Sequence, residues 1–271
     1  MLAKQAKPAL QNTGKTLARL VMHSLHIGTS GWSYPEWQQL FYAGIARKDW
    51  LKFYAERFSA VEINGTFYHL QTPDTFKKWS DATPATFRFA LKANRYLTHN
   101  KKLLDPAASI LIEKNHANAL GNKLAVVLWQ LPGLLKKDLA RLKGFIDALQ
   151  LWPEVRHSIE FRHESWFDDE TAACLARANI AVCLSDAEAW PMWDRITSSL
   201  VYIRLHGHTQ TYVSSYSDAE LAYWAERIVQ WVRQGKDVHV YFDNTAECAA
   251  PVNAGMLRRL VGDSIFQERS P

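Results

Sequence analysis

The 271-residue sequence predicts a single eight-stranded (β/α) barrel, an α/β fold of the TIM-like kind. Three observations carry that expectation. Eight short β-type runs alternate with helix-type segments, which favours parallel pairing. Strand-to-helix connections are long and helix-to-strand connections are short, as in barrels that work from their C-terminal face. Finally, polar and charged residues recur at inward parity across several strands.

The strands are read at His26–Ser30, Val61–Asn64, Phe87–Lys92, Leu124–Gln130, His157–Arg162, Ile180–Ser185, Val201–His206 and Val238–Asp243. Trp50, Tyr54 and Phe58 mark the first helix. Leu135, Leu139, Leu142, Ile146 and Leu149 draw a stripe at helical spacing, and Asp168 or Asp169 caps a helix running to Ala178. Ser217 with Glu220 three residues on is a capping box, followed by Leu221, Trp224, Ala225, Ile228, Val229 and Val232, with Gly235 as the stop. The slot at Ala187–Ser199 holds Pro191 and two tryptophans, so the sixth helix is expected to be short, irregular or replaced. The long connections are Gly31–Ile45, Ala93–Ala108 and Gly207–Tyr216.

Composition narrows the class. Hydrophobic content of 48% and charged content of 22% are those of an ordinary soluble globular domain. The 32 basic against 27 acidic residues leave +5, too small a surplus to announce a nucleic-acid protein. Cys174, Cys183 and Cys248 have neither disulfide nor zinc-knuckle spacing, so a reducing, cytoplasmic setting is expected. Residues 1–24 lack an apolar signal-peptide core and read as a disordered or extraneous extension, with Met22 an alternative start, ahead of a barrel over 25–271. No apolar stretch approaches membrane-spanning length.

Strand periodicity of two sorts the side chains. Outward positions are Val, Ile, Leu and Phe. Inward positions leave Glu62 and Asn64; Arg88 and Lys92; Ser158, Glu160 and Arg162; Tyr202, Arg204 and His206; and His239, Tyr241 and Asp243. A bore kept only for stability holds aliphatic residues, because burying an unpaired ion is strongly unfavourable. A self-satisfied ion network, such as Glu160 with Arg204, is the bland alternative.

Six ordered motifs resemble the YecE-like family, domain of unknown function 72. They are Gly28-Thr29-Ser30-Gly31-Trp32-Ser33-Tyr34, Glu62-Ile63-Asn64-Gly65-Thr66-Phe67-Tyr68, Gln130-Leu131-Pro132, Glu160-Phe161-Arg162-His163-Glu164-Ser165-Trp166, Arg204-Leu205-His206-Gly207 and Tyr241-Phe242-Asp243-Asn244. The resemblance implies a TIM-like barrel and brings no reaction with it. This chain departs from the family pattern at Asp243, where Asn is usual, and at Gly133, where a second Pro is common.

The leading functional expectation is an enzyme for a small anionic, phosphate- or carboxylate-bearing substrate. Arg162 and Arg204 would clamp the anion through forked donors, with Lys92 adding charge. Glu160 is the preferred acid or base, with Glu62 or His206 as its complement. Asn64, Gln130, Asn244, Asp243, Trp32, Tyr34 and Tyr68 complete the expected substrate surface. A nucleic-acid-binding or processing protein is the second reading, from the mouth aromatics with His99, Lys101 and Lys102. A metal-dependent hydrolase is the third, from His206 and His208 with Glu62, Glu160, His239 and Asp243. Arg162 and Arg204 on the same strands argue against a cation, so no metal and no cofactor are expected. Nucleophile-elbow, Walker A and dinucleotide motifs are absent. Oligomeric state is not legible.

Overall fold

The structure, a computed structural model, describes residues 25–267. The expected extension over 1–24 lies outside the described residues. The elements run β1 (Leu25–Thr29), α1 (Trp50–Ala55), β2 (Ala60–Ile63), α2 (Pro73–Asp81), β3 (Arg88–Lys92), α3 (Pro106–Ala117), β4 (Leu124–Gln130) and α4 (Leu139–Leu149). They continue with β5 (Arg156–Glu160), α5 (Asp169–Arg177), β6 (Ala181–Asp186), β7 (Leu200–Leu205), α6 (Asp218–Arg233), β8 (Asp237–Phe242) and α7 (Ala249–Gln267). No described helix is long and apolar enough to cross a membrane.

All eight expected strands form, within two residues at each end. The strands pair in parallel in the order β1-β8-β7-β6-β5-β4-β3-β2. The ring closes between β1 and β2 at one bridge, Ser30 with Glu62, where Gly31 N–H donates to the Glu62 carbonyl at 2.7 Å. Elsewhere along this seam a side chain replaces the ladder. The Tyr54 hydroxyl accepts from Thr29 N–H at 2.8 Å and donates to the Ala60 carbonyl at 3.2 Å. Gly28 leaves room for that arrangement, because a Cβ there would stand 1.9 Å from Ala60 O. Gly28→Ala is therefore expected to open the seam and lower stability by about 3 kcal/mol or more, beyond ordinary overpacking. A urea midpoint within experimental error of wild type would show that the seam tolerates a methyl group.

Parity sorts the side chains as the sequence implies. Ala60, Ala90, Val126, Leu128, Ala181, Cys183, Tyr202 and Tyr241 fill the bore. Val61, Phe89, Leu91, Val127, Trp129, Val182, Ile203 and Val240 pack outward against the helices. Three alanines share the bore with two tyrosines, which suits a space too narrow for a ring from every strand.

Local signals hold as well. Both bonds of the Ser217–Glu220 capping box are present, and Asp168 caps α5 by accepting from Thr171 N–H at 2.8 Å. The sixth connection, residues 187–199, contains no helix. Proline lacks an N–H and fixes its own φ, and here the flanking tryptophans dock on the barrel instead: Trp193 stacks on Phe167 at 5.2 Å. Trp190 turns over the mouth.

Candidate functional site

At the C-terminal mouth the polar residues sit within two residues of the ends of their strands. The pleat aims them inward. The centre is Arg204, fully buried on β7. Its Nε and Nη2 donate to Glu62, at 3.0 and 2.8 Å. Nη1 donates to Glu160 Oε2 at 2.9 Å and to His206 Nε2 at 3.1 Å, and Nη2 also donates to Asp243 Oδ2 at 2.9 Å. A guanidinium has five N–H groups and no acceptor, so protein groups use all of them.

This revises the expected roles of Arg204 and Glu62. Arg204 has no donor left for a ligand and cannot clamp an anion while the network stands. Glu62 accepts from Ser30 Oγ at 2.5 Å and Tyr202 Oη at 2.6 Å besides Arg204, and is fully enclosed. Both are framework.

Glu160 lies between two guanidinium groups, with Arg162 Nε 2.8 Å from Oε1. Burial alone would raise its pKa; Arg162 and Arg204, with His206 and Lys92, outweigh that and hold it well below the usual carboxylate range. Glu160 is thus kept ionised, which removes it as a proton donor near neutrality. Asp243 behaves likewise: burial opposes ionisation, but Arg204 and His206 bring it down to about 2.

The protonation of His206 follows from its neighbours. Arg204 can only donate, so His206 Nε2 accepts and the proton sits on Nδ1, 3.0 Å from Asp243 Oδ2. Burial and then Arg204 lower its pKa, so the ring is neutral at physiological pH. Trp190 and Tyr212 cover it edge-on at 5.0 and 5.6 Å.

Arg162 differs from Arg204. Its guanidinium lies 3.7 Å over the Trp190 ring, and its Nη2 is buried with no hydrogen-bond partner among the described residues. Lys92, at the end of β3, is also buried, with Nζ 4.2 Å from the Phe67 ring centre. Burial and then Arg204 lower its pKa to about 8, against the pull of the carboxylates. Nearby, burial and then Arg95, Lys92 and Arg162 bring His99 down to about 4.

The remaining expected residues divide. Trp32, Tyr34, Asn64 and Tyr68 line one cavity of about 420 Å³ between the β1 and β2 connections, with Trp79 behind. The Asn64 Oδ1 there is buried and has no hydrogen-bond partner among the described residues. Gln130, opposite Glu160 in the β4–β5 register, donates to the Leu131 carbonyl at 2.7 Å. Asn244 is buried and tied to Ser214 O and Asn253 Oδ1 at 3.0 and 2.9 Å, so its amide nitrogen anchors the β7 connection. Of the candidate metal ligands, Glu62, Glu160, His206 and Asp243 meet at the mouth, but around Arg204, and two others stand apart. His208 is largely exposed and bonded to Asp186 at 3.0 Å, while His239 lies toward the other end of β8.

Sequence reasoning missed Ser30, Ser185 and Trp190. Ser30 lies within the first motif. Ser185 donates to Glu160 at 3.3 Å and accepts from Trp190 Nε1 at 2.9 Å. The parity rule applied to β6 would have found it. Trp190 comes from an irregular segment, where periodicity offers no signal.

Fold and site together define a class: a parallel (β/α)8 barrel whose mouth rests on one buried arginine shared by three carboxylates. The chain belongs to the family described as "Protein of unknown function DUF72", which it matches over residues 26–271. It is 23% identical over 275 residues to the UPF0759 protein YunF of Bacillus subtilis (strain 168), covering 88% of this chain and 94% of that protein. It is 29% identical over 144 residues to the UPF0759 protein YecE of Escherichia coli (strain K12), about half of each chain (53% and 50%). The crystal structure of a DUF72 family protein from Thermotoga maritima MSB8 superposes with a TM-score of 0.80 at 26% identity, covering 89% of this chain and all (100%) of that one.

Proposed function

We propose that the barrel is an enzyme for a small substrate bearing a phosphate or carboxylate, bound at the mouth by Arg162 and Lys92. The observation that carries this reading is the buried Arg162 Nη2, which has no hydrogen-bond partner among the described residues. A buried donor without an acceptor is unfavourable by about 1–3 kcal/mol, and more for a charged group. A ligand oxygen would relieve that. Glu160 fixes Arg162 from behind. Lys92, at about 8, is the group poised to exchange a proton near neutrality, while ionised Glu160 is not. The aromatic cavity beside Phe67 and Tyr68, at about 420 Å³, is of a size to take the substrate's less polar part.

Phosphate titrated against tag-free protein is expected to raise the melting temperature, since a ligand of the native state stabilises by mass action. Arg162→Ala should abolish the rise. An equal rise in the variant would place the anion elsewhere and remove the reading. Tyr68 and Tyr96, exposed at 61% and 57%, stand on the same rim as Arg95, which favours a nucleic-acid strand as the second reading. Salt-sensitive retention of single-stranded DNA or RNA, lost in a Tyr68→Ala, Tyr96→Ala double variant, would select it over a small molecule.

A further inference from the structure

At the opposite end of the barrel, where β1 and β8 begin, His26 and His239 stand directly across from each other in the parallel register. Their rings lie 4.5 Å apart. Asp237 joins them, with Oδ1 3.9 Å from His26 Nε2 and Oδ2 3.7 Å from His239 Nε2. One donor atom from each of the three falls within 4.8 Å of the other two. We propose that His26, Asp237 and His239 bind a divalent transition-metal ion of the zinc class, at a site separate from the mouth. This departs from the expectation of no metal drawn from the sequence.

Two features distinguish the trio from a casual polar cluster. His239 is fully buried, yet among the described residues its Nε2 has no hydrogen-bond partner, and Asp237 Oδ1 has none either. Both unpartnered atoms belong to the same trio. The other ring nitrogen of His239 is already engaged, with Nδ1 2.9 Å from Tyr241 Oη. With its proton on Nδ1, donated to Tyr241, His239 presents a lone pair at Nε2. That is the usual outer support of a metal-bound imidazole. Arg156 occupies only the second carboxylate oxygen, with Nη1 3.3 Å from Oδ2, and leaves Oδ1 available.

Two imidazoles and one carboxylate are a recurrent zinc donor set, with bonds of about 2.0–2.2 Å. Small side-chain rotations would draw the donors inward to such distances. The N-terminal face of a barrel is where stability rather than chemistry is built. An ion here would cross-link the first strand to the last.

The test uses tag-free, chelator-stripped protein titrated with Zn²⁺ by calorimetry. One equivalent is expected to bind and to raise the melting temperature. His26→Ala and His239→Ala should each weaken binding more than about 100-fold, while Tyr241→Phe, which removes only the supporting hydroxyl, should weaken it about 10–100-fold. His208→Ala, an exposed histidine at the other end, should change nothing. If the histidine variants fail to fold, Co²⁺ added to wild type and to Tyr241→Phe decides the matter. An intense visible spectrum typical of four-coordinate Co²⁺ in wild type supports the site. A spectrum like that of aqueous Co²⁺, or equal Zn²⁺ affinity in wild type and folded variants, would overturn it.

Discussion

Arg204→Met is expected to lower stability by about 5 kcal/mol or more at neutral pH. Removing one partner of a single buried ion pair already costs about 3–5 kcal/mol, and here three buried carboxylates lose their common partner at once. Against a total stability of about 5–15 kcal/mol, that is enough to compromise folding. Arg204→Lys should recover little, because one ammonium cannot reach Glu62, Glu160 and Asp243 along three directions. Adding Glu62→Gln, Glu160→Gln and Asp243→Asn to Arg204→Met should restore part of the loss. Urea unfolding, or soluble yield where the variant does not purify, measures the effect. A loss below about 1 kcal/mol would mean that the network contributes no more than a surface pair.

The same pairs set the acid limit. Glu160 and Asp243 have depressed folded-state pKa values. Their stabilisation is therefore present above the unfolded carboxylate value of about 4 and is lost as pH falls through the folded values, about 2 for Asp243.

Lys92→Met is expected to act in the opposite direction, stabilising the protein by about 3 kcal/mol at pH 7 while weakening phosphate binding. A lysine held at about 8 rather than 10.5 is a charge the folded state disfavours, and each tenfold loss of proton affinity corresponds to about 1.4 kcal/mol. Below about pH 8 both folded and unfolded chains carry the proton, so by linkage the penalty is complete there. Between about 8 and 10.5 it fades as the unfolded lysine also loses its charge. The advantage of Lys92→Met over wild type should shrink across that window. Glu113, raised to about 8 by burial, titrates there too, so the difference between the two proteins is the quantity to follow. A variant less stable than wild type at pH 7 would show that Lys92 serves packing rather than a ligand. A residue that lowers stability where it stands is what a binding site retains.

The architecture was legible because it depends on local patterns. Strand period, the alternation of strands with helices, Ser217–Glu220 capping and the long mouth connections are all written along the chain. The inward set was legible for the same reason: Glu160, Arg162, Arg204, His206 and Asp243 share a parity, and parity needs no tertiary information.

What parity does not contain is who faces whom. Arg204 and Arg162 look alike in sequence, both at strand ends two residues from another inward group. Only the closed barrel shows that Arg204 meets carboxylates from β2, β5 and the end of β8, while Arg162 meets one carboxylate and an indole. The difference between an arginine whose donors are all used and one with a donor left over is the number of acceptors around it, a property of the ring of strands. Likewise, β8 carries His239 and Asp243 two pleats apart on one face, and the sequence places both at one site. The strand's length separates them: about 3.3 Å of rise per residue carries His239 toward His26 at the base and leaves Asp243 at the mouth. Trp190 marks the same boundary, since an irregular segment has no period and only the packed fold brings its ring over Arg162 and His206.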